Sequence, residues 1–536
     1  MEIVIAKGLD WTPDARAPLT AAPLAHSRAL TQGTSTLTMM RTAATFLACA
    51  TALPVAVPSA DDAPLNIVVN DAPLNIVVIT DWHNNPEYNA SLSSKCRCTH
   101  WPGTDLEASC ELDSPASTYG QYGCDSSPDL TASSLSAAAA AISKPDLVLV
   151  LGDLVTHDSP DAAFTHKTFH EMSRQIATAF PSTPYTCQTP LGNNDAFPNY
   201  GMNTSDPRFY HPQAETGKEF CGLTETEAAV FRAHGYYSRD LRAKDRLLIL
   251  NTNLYASHNA VQKTNEKLGF YASRPATRGA SEARHLEQID PLADPDPLGQ
   301  FAWIEENMKW AKANNGRVYI AAHIPPTLDS FSRAQQWQPA YAERYWALIT
   351  AYPDVLGFHL FGHLHSAEVR ALHTSDNAAL QSAPALQILT SISPIYASNP
   401  SFYTLTANPA TREVNLTMHS LELSGVHEGV PPTYVPMPPR PLDQSAGLLA
   451  SNARYGELFE SFLTPTLDES SAMQYARFFE QYKGGYHGKG LHCTLGNATF
   501  QDCVTCEDDC RASFVCLQAH GTNDNDYAAC VDRGLH

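Results

Sequence analysis

Five short sites in the chain carry side chains able to bind divalent cations. Each follows at once on a short apolar run. Residues 74–80 lead into Asp81-Trp82-His83, and residues 146–151 lead into Gly152-Asp153. Pro190-Leu191 precedes Gly192-Asn193-Asn194-Asp195, residues 318–322 precede His323, and residues 355–361 precede Gly362-His363-Leu364-His365. Two cations held side by side need a bridging carboxylate and a mixture of imidazole and oxygen ligands. Asp81 and His83 bring one carboxylate and one imidazole to a first cation, and Asp153 can bridge to a second. Asn193 offers a neutral carbonyl oxygen, and His323, His363 and His365 complete the set. Neutral imidazoles keep such a site positive enough to attract phosphate. Taken singly the signals are weak. An isolated Asp-x-His is more often chance than ligand, His323 alone reads equally as a core histidine, and Gly152, Gly192 and Gly362 read equally as turn residues. His359, two residues before Phe361, reads as a core histidine with no role. The order and spacing of the five sites together carry the argument.

The elements that position these groups follow from the same stretches. Short apolar runs rich in Val, Ile and Leu read as buried strands. Between them, residues 162–180 and 301–314 have helix-type spacing. Alternating strands and helices predict an α/β core with the ligand loops at the carboxyl ends of strands, where loops rest on a rigid platform.

The bulk numbers bound the possibilities. A chain of 536 residues, 43% of them hydrophobic, can hold one large catalytic domain and a smaller one. Net charge is −21 and the pI is about 5.4. So acidic a surface repels phosphate polymers and disfavours a general nucleic-acid binder. A small phosphorylated substrate held by cations is still accommodated. There are 13 cysteines, of which Cys49 lies in a segment of leader type. The remaining twelve form the even set that a disulfide framework requires.

That leader spans residues 39–60. Arg41 supplies its positive end, residues 42–57 its apolar and small-residue run, and Pro54 and Pro58 argue against a buried helix. The run is short for a membrane span. Secretion, or delivery to a lysosomal or acidic vacuolar lumen, is the expectation. Because the leader starts at Met39-Met40, residues 1–38 are expected to be a wrongly assigned start, which their presence in the mature protein would reject. Sequons at Asn89, Asn203, Asn415 and Asn497 fit a glycoprotein. DAPLNIVV occurs twice, at 62–69 and 71–78, and only the second copy leads directly to Asp81. Residues 61–425 read as the catalytic domain and the proline-rich residues 426–444 as a linker. Residues 445–536 read as a helical, cysteine-rich domain, with helix-type spacing at 455–462 and 470–483.

The motif set D-x-H, G-D, G-N-[HN]-[DE], H and G-H-x-H resembles the calcineurin-like metallophosphoesterase superfamily. Finer features are similar to its acid sphingomyelinase and sphingomyelinase-like phosphodiesterase branch: DWHNNPEY at 81–88, GDLVTH at 152–157, LNTNLY at 250–255, HIP at 323–325, Asn399-Pro400, and the tail cysteines. The resemblance covers roughly residue 71 to the C-terminus. It implies two packed mixed β-sheets flanked by helices, with a small disulfide-rich helical C-terminal region. It implies two divalent cations, with zinc the family's usual metal. Asp81, His83, Asp153 and His365 would hold one, and Asp153, Asn193, His323 and His363 the other. It also implies pairing of Cys506 with Cys510 and of Cys516 with Cys530. Two further pairings, Cys187 with Cys221 and Cys493 with Cys503, are expected without support from the family pattern. The connectivity among Cys96, Cys98, Cys110 and Cys124 stays open.

Two departures matter. Asn194 stands where the family has a histidine that contacts phosphate or assists the leaving group. No cysteine-rich saposin-like module lies between the leader and the catalytic segment, so the chain resembles the sphingomyelinase-like phosphodiesterases more than acid sphingomyelinase itself. The expected chemistry is attack of a metal-bridging hydroxide on phosphorus, with both cations held through Asp153. His157 is the expected proton donor to the leaving oxygen, or else a partner of a metal ligand. The expected substrate is a phosphoester: a sphingomyelin-type lipid headgroup, with transient membrane-surface contact, or a nucleotide. GNND followed by Pro198 also resembles endopolyphosphatases and keeps polyphosphate as an alternative. A non-catalytic secreted binding protein with this fold is the third reading, and Asn194 is its support.

Overall fold

The computed structural model describes residues 72–101, 110–112, 115–183, 185–201, 209–258, 294–330, 332–372, 378–408, 413–426, 430–437, 451–485, 494–495, 498–499 and 508–534. The leader, the first DAPLNIVV copy, Asn203, Asn497, Cys493, Cys503 and Cys506 lie outside them. The principal strands are β1 (Leu74–Ile79), β2 (Leu147–Val150), β3 (Tyr237–Arg242), β4 (Asp245–Ile249), β5 (Arg317–Ala321), β6 (Leu356–Phe361), β7 (Glu368–Arg370), β8 (Leu386–Ile388), β9 (Ser401–Ala407), β10 (Val414–Ser420) and β11 (Val435–Pro436). The helices are α1 (Pro128–Ala141), α2 (Ala162–Ala179), α3 (His211–Phe220), α4 (Glu225–His234), α5 (Gln300–Asn314), α6 (Pro339–Ala351), α7 (Ala378–Ser382), α8 (Asn452–Phe462), α9 (Glu469–Glu480), α10 (Asp508–His520) and α11 (Asp524–Arg533).

The strands form two mixed sheets. One has the order β11-β10-β9-β1-β2, the other β3-β4-β5-β6-β8-β7. β1 runs parallel to β2 with Val77 opposite Val148, and antiparallel to β9. β4, β5, β6 and β8 are mutually parallel neighbours, and β7 closes the edge antiparallel to β8. β1 and β2 are apolar at almost every position because both faces are covered, the pattern that central parallel strands require. α1 begins at the Ser127 cap with Pro128 in its first turn, and Asp161 caps α2.

Four of the five expected ligand strands are β1, β2, β5 and β6. The fifth, before Gly192, is a single parallel bridge: Gln188 pairs with Leu149 beside β2. Within the proline-rich stretch, Val435 and Pro436 add a short strand to the edge of β10. The described disulfides are Cys96–Cys110, Cys98–Cys124, Cys187–Cys221 and Cys516–Cys530. Cys510 is also disulfide-bonded. α8, α9, α10 and α11 build a second apolar core together with Leu328, Val369, Ala371 and Ala385. Among the described residues, no helix is long and apolar enough to cross a membrane.

His359 on β6 is buried inside the sheet. Its Nε2–H donates to the Pro384 carbonyl (3.1 Å) and its Nδ1 accepts from the Tyr345 hydroxyl (3.1 Å). Burial pushes it down to about 3 from the ordinary 6.5. Below pH 6.5 the unfolded chain therefore takes up a proton that the folded chain refuses until about pH 3. Stability is lost as pH falls through that window. His359→Gln in the metal-free protein should flatten urea-derived stability between pH 4 and 6 by up to about 1.4 kcal/mol per pH unit. Parallel profiles for the two proteins would reject this assignment.

Candidate metal centre and active site

The loops leaving β1, β2, β5 and β6 meet at one end of the two sheets. Backbone bonds tie the first two together: Asp81 N–H donates to Gly152 O (3.1 Å) and His83 N–H to Asp153 O (2.9 Å). The His363 N–H is shared between the two carboxylate oxygens of Asp81 (2.9 and 3.1 Å). Asp195 is a staple. Its carboxylate accepts from the backbone N–H groups of Gly192, Asp153, Leu154 and Val155. Gly192 is no simple turn residue: a β-carbon there would collide with the Asp153 carboxylate and backbone. At Gly362 a β-carbon would collide with Thr80 and lie 2.6 Å from Asp81 Oδ2. Both positions need glycine so that backbone can pass beside the two carboxylates.

The sequence-predicted donors converge. Asp153 Oδ2 lies 3.2 Å from His323 Nε2 and 3.5 Å from His83 Nε2. Asp81 Oδ1 lies 3.4 Å from His365 Nε2 and 3.8 Å from His83 Nε2. His83 and His365 bring their Nε2 atoms within 3.1 Å, and Asn193 Oδ1 sits 3.1 Å from His323 Nε2. Candidate ligand atoms group as Asp81, His83 and Asp153, as Asp153, His323 and His363, and as His83, His157 and His365. Asp81, His83, Asp153, His363 and His365 all have φ between 45° and 75°. Non-glycine residues in that region carry strain of order 1–3 kcal/mol each, and such strain clusters at functional sites.

The donor set fits cations. His83 Nδ1–H donates to the Val155 carbonyl (3.0 Å) and His323 Nδ1–H to the Leu151 carbonyl (2.7 Å). Each bond fixes the tautomer and turns the Nε2 lone pair inward. His363 Nε2 is engaged by Tyr200 Oη (3.2 Å) and Gln336 Oε1 (3.0 Å), which leaves Nδ1 as its donor atom. Burial pushes the Asp81 and Asp153 carboxyls up. The surrounding histidines outweigh it and hold both below the usual carboxylate range. Burial pushes His83 and His323 down, but Asp153 and Asp81 raise both to about 9. The field where the Nε2 atoms converge thus favours positive charge, and protons compete with cations for it. Metal affinity should fall as the site is acidified. Burial, aided by His323, lowers His363 to about 3 and keeps it a neutral donor.

His157 stacks on His83 with ring centroids 3.9 Å apart, and its edge is the partly open one. Its Nδ1–H donates to Asp125 Oδ1 (2.9 Å), and its backbone N–H to Asp125 Oδ2 (2.8 Å). Asp125 is buried. His157 outweighs the burial and holds that carboxyl below its usual range. Asp125 follows Cys124 in a stretch with no motif and was not legible in the sequence. Neither were Tyr200 and Gln336, which engage the His363 ring. Asn194 does not face the open side: its backbone N–H and its Nδ2–H both donate to the Asp153 carboxylate (2.8 Å each). Asn193 Nδ2–H donates to Asn199 (2.8 Å), which orients its carbonyl oxygen toward His323.

Two mixed sheets with an Asp/His/Asn cluster at their strand ends define a metallophosphoesterase. The sequence profile of the calcineurin-like phosphoesterase family matches residues 74–367, and the chain belongs to that family. Its fold implies a dinuclear metal site, and the chain is a metal-dependent phosphoester hydrolase. It is 27% identical over 300 residues to a sphingomyelinase phosphodiesterase D of Dictyostelium discoideum, covering 55% of this chain and 60% of that protein. It is 23% identical over 460 residues to the acid sphingomyelinase-like phosphodiesterase 3b of Mus musculus, covering 84% and 89%. It is 24% identical over 329 residues to a cyclic GMP-AMP phosphodiesterase SMPDL3A of Bos taurus, covering 60% and 65%. For the first and third of these, the match spans less than two thirds of the relative's length.

Proposed function

We propose that the chain is a secreted two-metal phosphodiesterase. The observation that carries the reading is the placement of Asp153, whose carboxylate lies between two groups of donors. Asp81, His83, Asp153 and His365 would hold one cation. Asp153, Asn193, His323 and His363 would hold the other, with zinc the metal that an imidazole-rich set suits. Two such cations supply an acidified water as nucleophile and Lewis-acid stabilisation of the phosphoryl oxygens. The chain's own groups do the rest. Asn194 fixes the Asp153 carboxylate through two hydrogen bonds, so it serves as a positioning residue and not as an acid. Proton donation falls to His157, whose ring Asp125 orients from behind and whose Nε2 is left toward the leaving oxygen. The described disulfides suit an oxidising compartment, and the sequons Asn89 and Asn415 are both exposed, as glycan attachment requires.

The substrate classes are a sphingomyelin-type phosphocholine ester or a nucleotide phosphodiester, each supported by the names of relatives. The test is a panel of bis-p-nitrophenyl phosphate, sphingomyelin, ATP, a cyclic dinucleotide and polyphosphate at acidic and neutral pH. Turnover of diesters ahead of polyphosphate is expected. Preference for polyphosphate would replace the reading with an endopolyphosphatase, and no turnover by the metal-loaded protein would replace it with a binding protein.

A further inference from the structure

β7 is the outer strand of its sheet, and it follows His365 by only three residues. The outward N–H groups of this edge would be left without partners in the catalytic segment. They are taken up by the C-terminal helical region. Ala367 N–H donates to Tyr482 O (2.9 Å), Val369 N–H to Gln518 Oε1 (2.8 Å), and Ala371 N–H to Gln518 O (3.1 Å). The other half of the Gln518 amide donates to Glu368 Oε2 (3.1 Å). Glu368 is paired with Arg370 at 2.7 Å, and all three side chains are fully buried. Arg370 donates onward to Leu328 O (3.2 Å), and Leu328 N–H donates to Gly521 O (2.8 Å). Leu328 lies five residues beyond His323. The same region reaches the far side of His365. Lys483 O accepts from Asn399 N–H (3.0 Å), beside Ser398, whose hydroxyl donates to His365 O (2.6 Å). Cys516–Cys530 staples α10 to α11 two residues before Gln518.

A buried Glu–Arg pair needs its remaining hydrogen-bonding capacity satisfied, or it destabilises its surroundings. Here Glu368 accepts from the Ser366 hydroxyl on one oxygen and from the Gln518 amide of α10, some 150 residues away in sequence, on the other, while Arg370 Nε is left without a hydrogen bond among the described residues. The grip bears on the segments just beyond three of the imidazoles. We propose that Gln518 is a positioning residue of the metal centre: its amide, bound to both Val369 N–H and Glu368, sets the imidazoles of His323, His363 and His365 in register for cation binding. The C-terminal helices are then part of the catalytic unit and not an appended domain. The inference rests on the reading of the donor cluster as a metal site.

The test is zinc affinity, measured by chelator competition on full-length protein, together with thermal unfolding of the metal-free form. Gln518→Met keeps the volume and removes both amide hydrogen bonds. Zinc affinity is expected to fall on the order of 10-fold to 100-fold, the usual effect of losing a group that orients ligands. The metal-free unfolding temperature should move only a few degrees. Zinc affinity within twofold of the parent would overturn the proposal, as would a lowered unfolding temperature with unchanged affinity, the mark of a merely structural residue. If Gln518→Met does not fold, Gln518→Asn carries the same test, because its amide is one methylene too short to reach both Val369 N–H and Glu368 Oε2. The readout is binding, so a parent protein that bound zinc but hydrolysed no diester would defeat the proposed function and leave this inference to be decided on its own.

Discussion

Asp153→Asn should lose turnover of bis-p-nitrophenyl phosphate by on the order of 10³-fold or more, equivalent to about 4 kcal/mol of transition-state stabilisation. Among the described residues, Asp153 is the carboxylate shared by the Asp81–His83 and His323–His363 groups, with His323 at 3.2 Å and His83 at 3.5 Å. An amide in its place offers one neutral oxygen. It also confronts the Asn194 amide with an N–H where that side chain now donates to a carboxylate oxygen. The loss should therefore appear in metal content as well as in rate, and elemental analysis of the purified variant should find fewer than two equivalents. Full activity in Asp153→Asn would show that the hydrolytic centre lies elsewhere.

The second large effect concerns the leaving group. A positioned general acid contributes roughly 10²-fold to 10⁴-fold, and only where the departing oxygen needs a proton. His157→Gln should lower turnover of an alkyl phosphodiester by about 100-fold or more. It should lower turnover of a p-nitrophenyl ester by less than about tenfold, while both cations are retained. Asp125→Asn should follow the same pattern to a smaller degree. It leaves His157 in place but replaces the carboxylate that accepts its Nδ1–H and its backbone N–H. Equal losses on good and poor leaving groups would rule out proton donation and leave His157 as a support for His83, on which its ring stacks.

The side chains that converge were legible in the sequence because most follow a local device. A buried apolar strand ends two or three residues before Asp81, Asp153, His323 and His363, whereas Asn193 follows only the bridge at Gln188. The mixed two-sheet fold followed from the family resemblance. What stayed hidden is non-local. Asp125 reaches His157 across 32 residues, and Gln518 reaches Val369 across 149, in stretches whose spacing matches no motif. The partner of Asn194 was hidden too: it stands where the family has a histidine that contacts phosphate or assists the leaving group, and the turn at Gly192–Asp195 directs its amide back onto Asp153. The connectivity Cys96–Cys110 and Cys98–Cys124 was also beyond spacing, because four cysteines within one loop region permit several pairings.

The proposed hydrolysis requires two cations at the Asp153 cluster. The most direct measurement is titration of zinc into metal-stripped protein, following hydrolysis of bis-p-nitrophenyl phosphate and bound metal together. Activity should rise from near zero and break at two equivalents per chain. Activity that is unchanged by stripping, or saturation at one equivalent with full turnover, would contradict it.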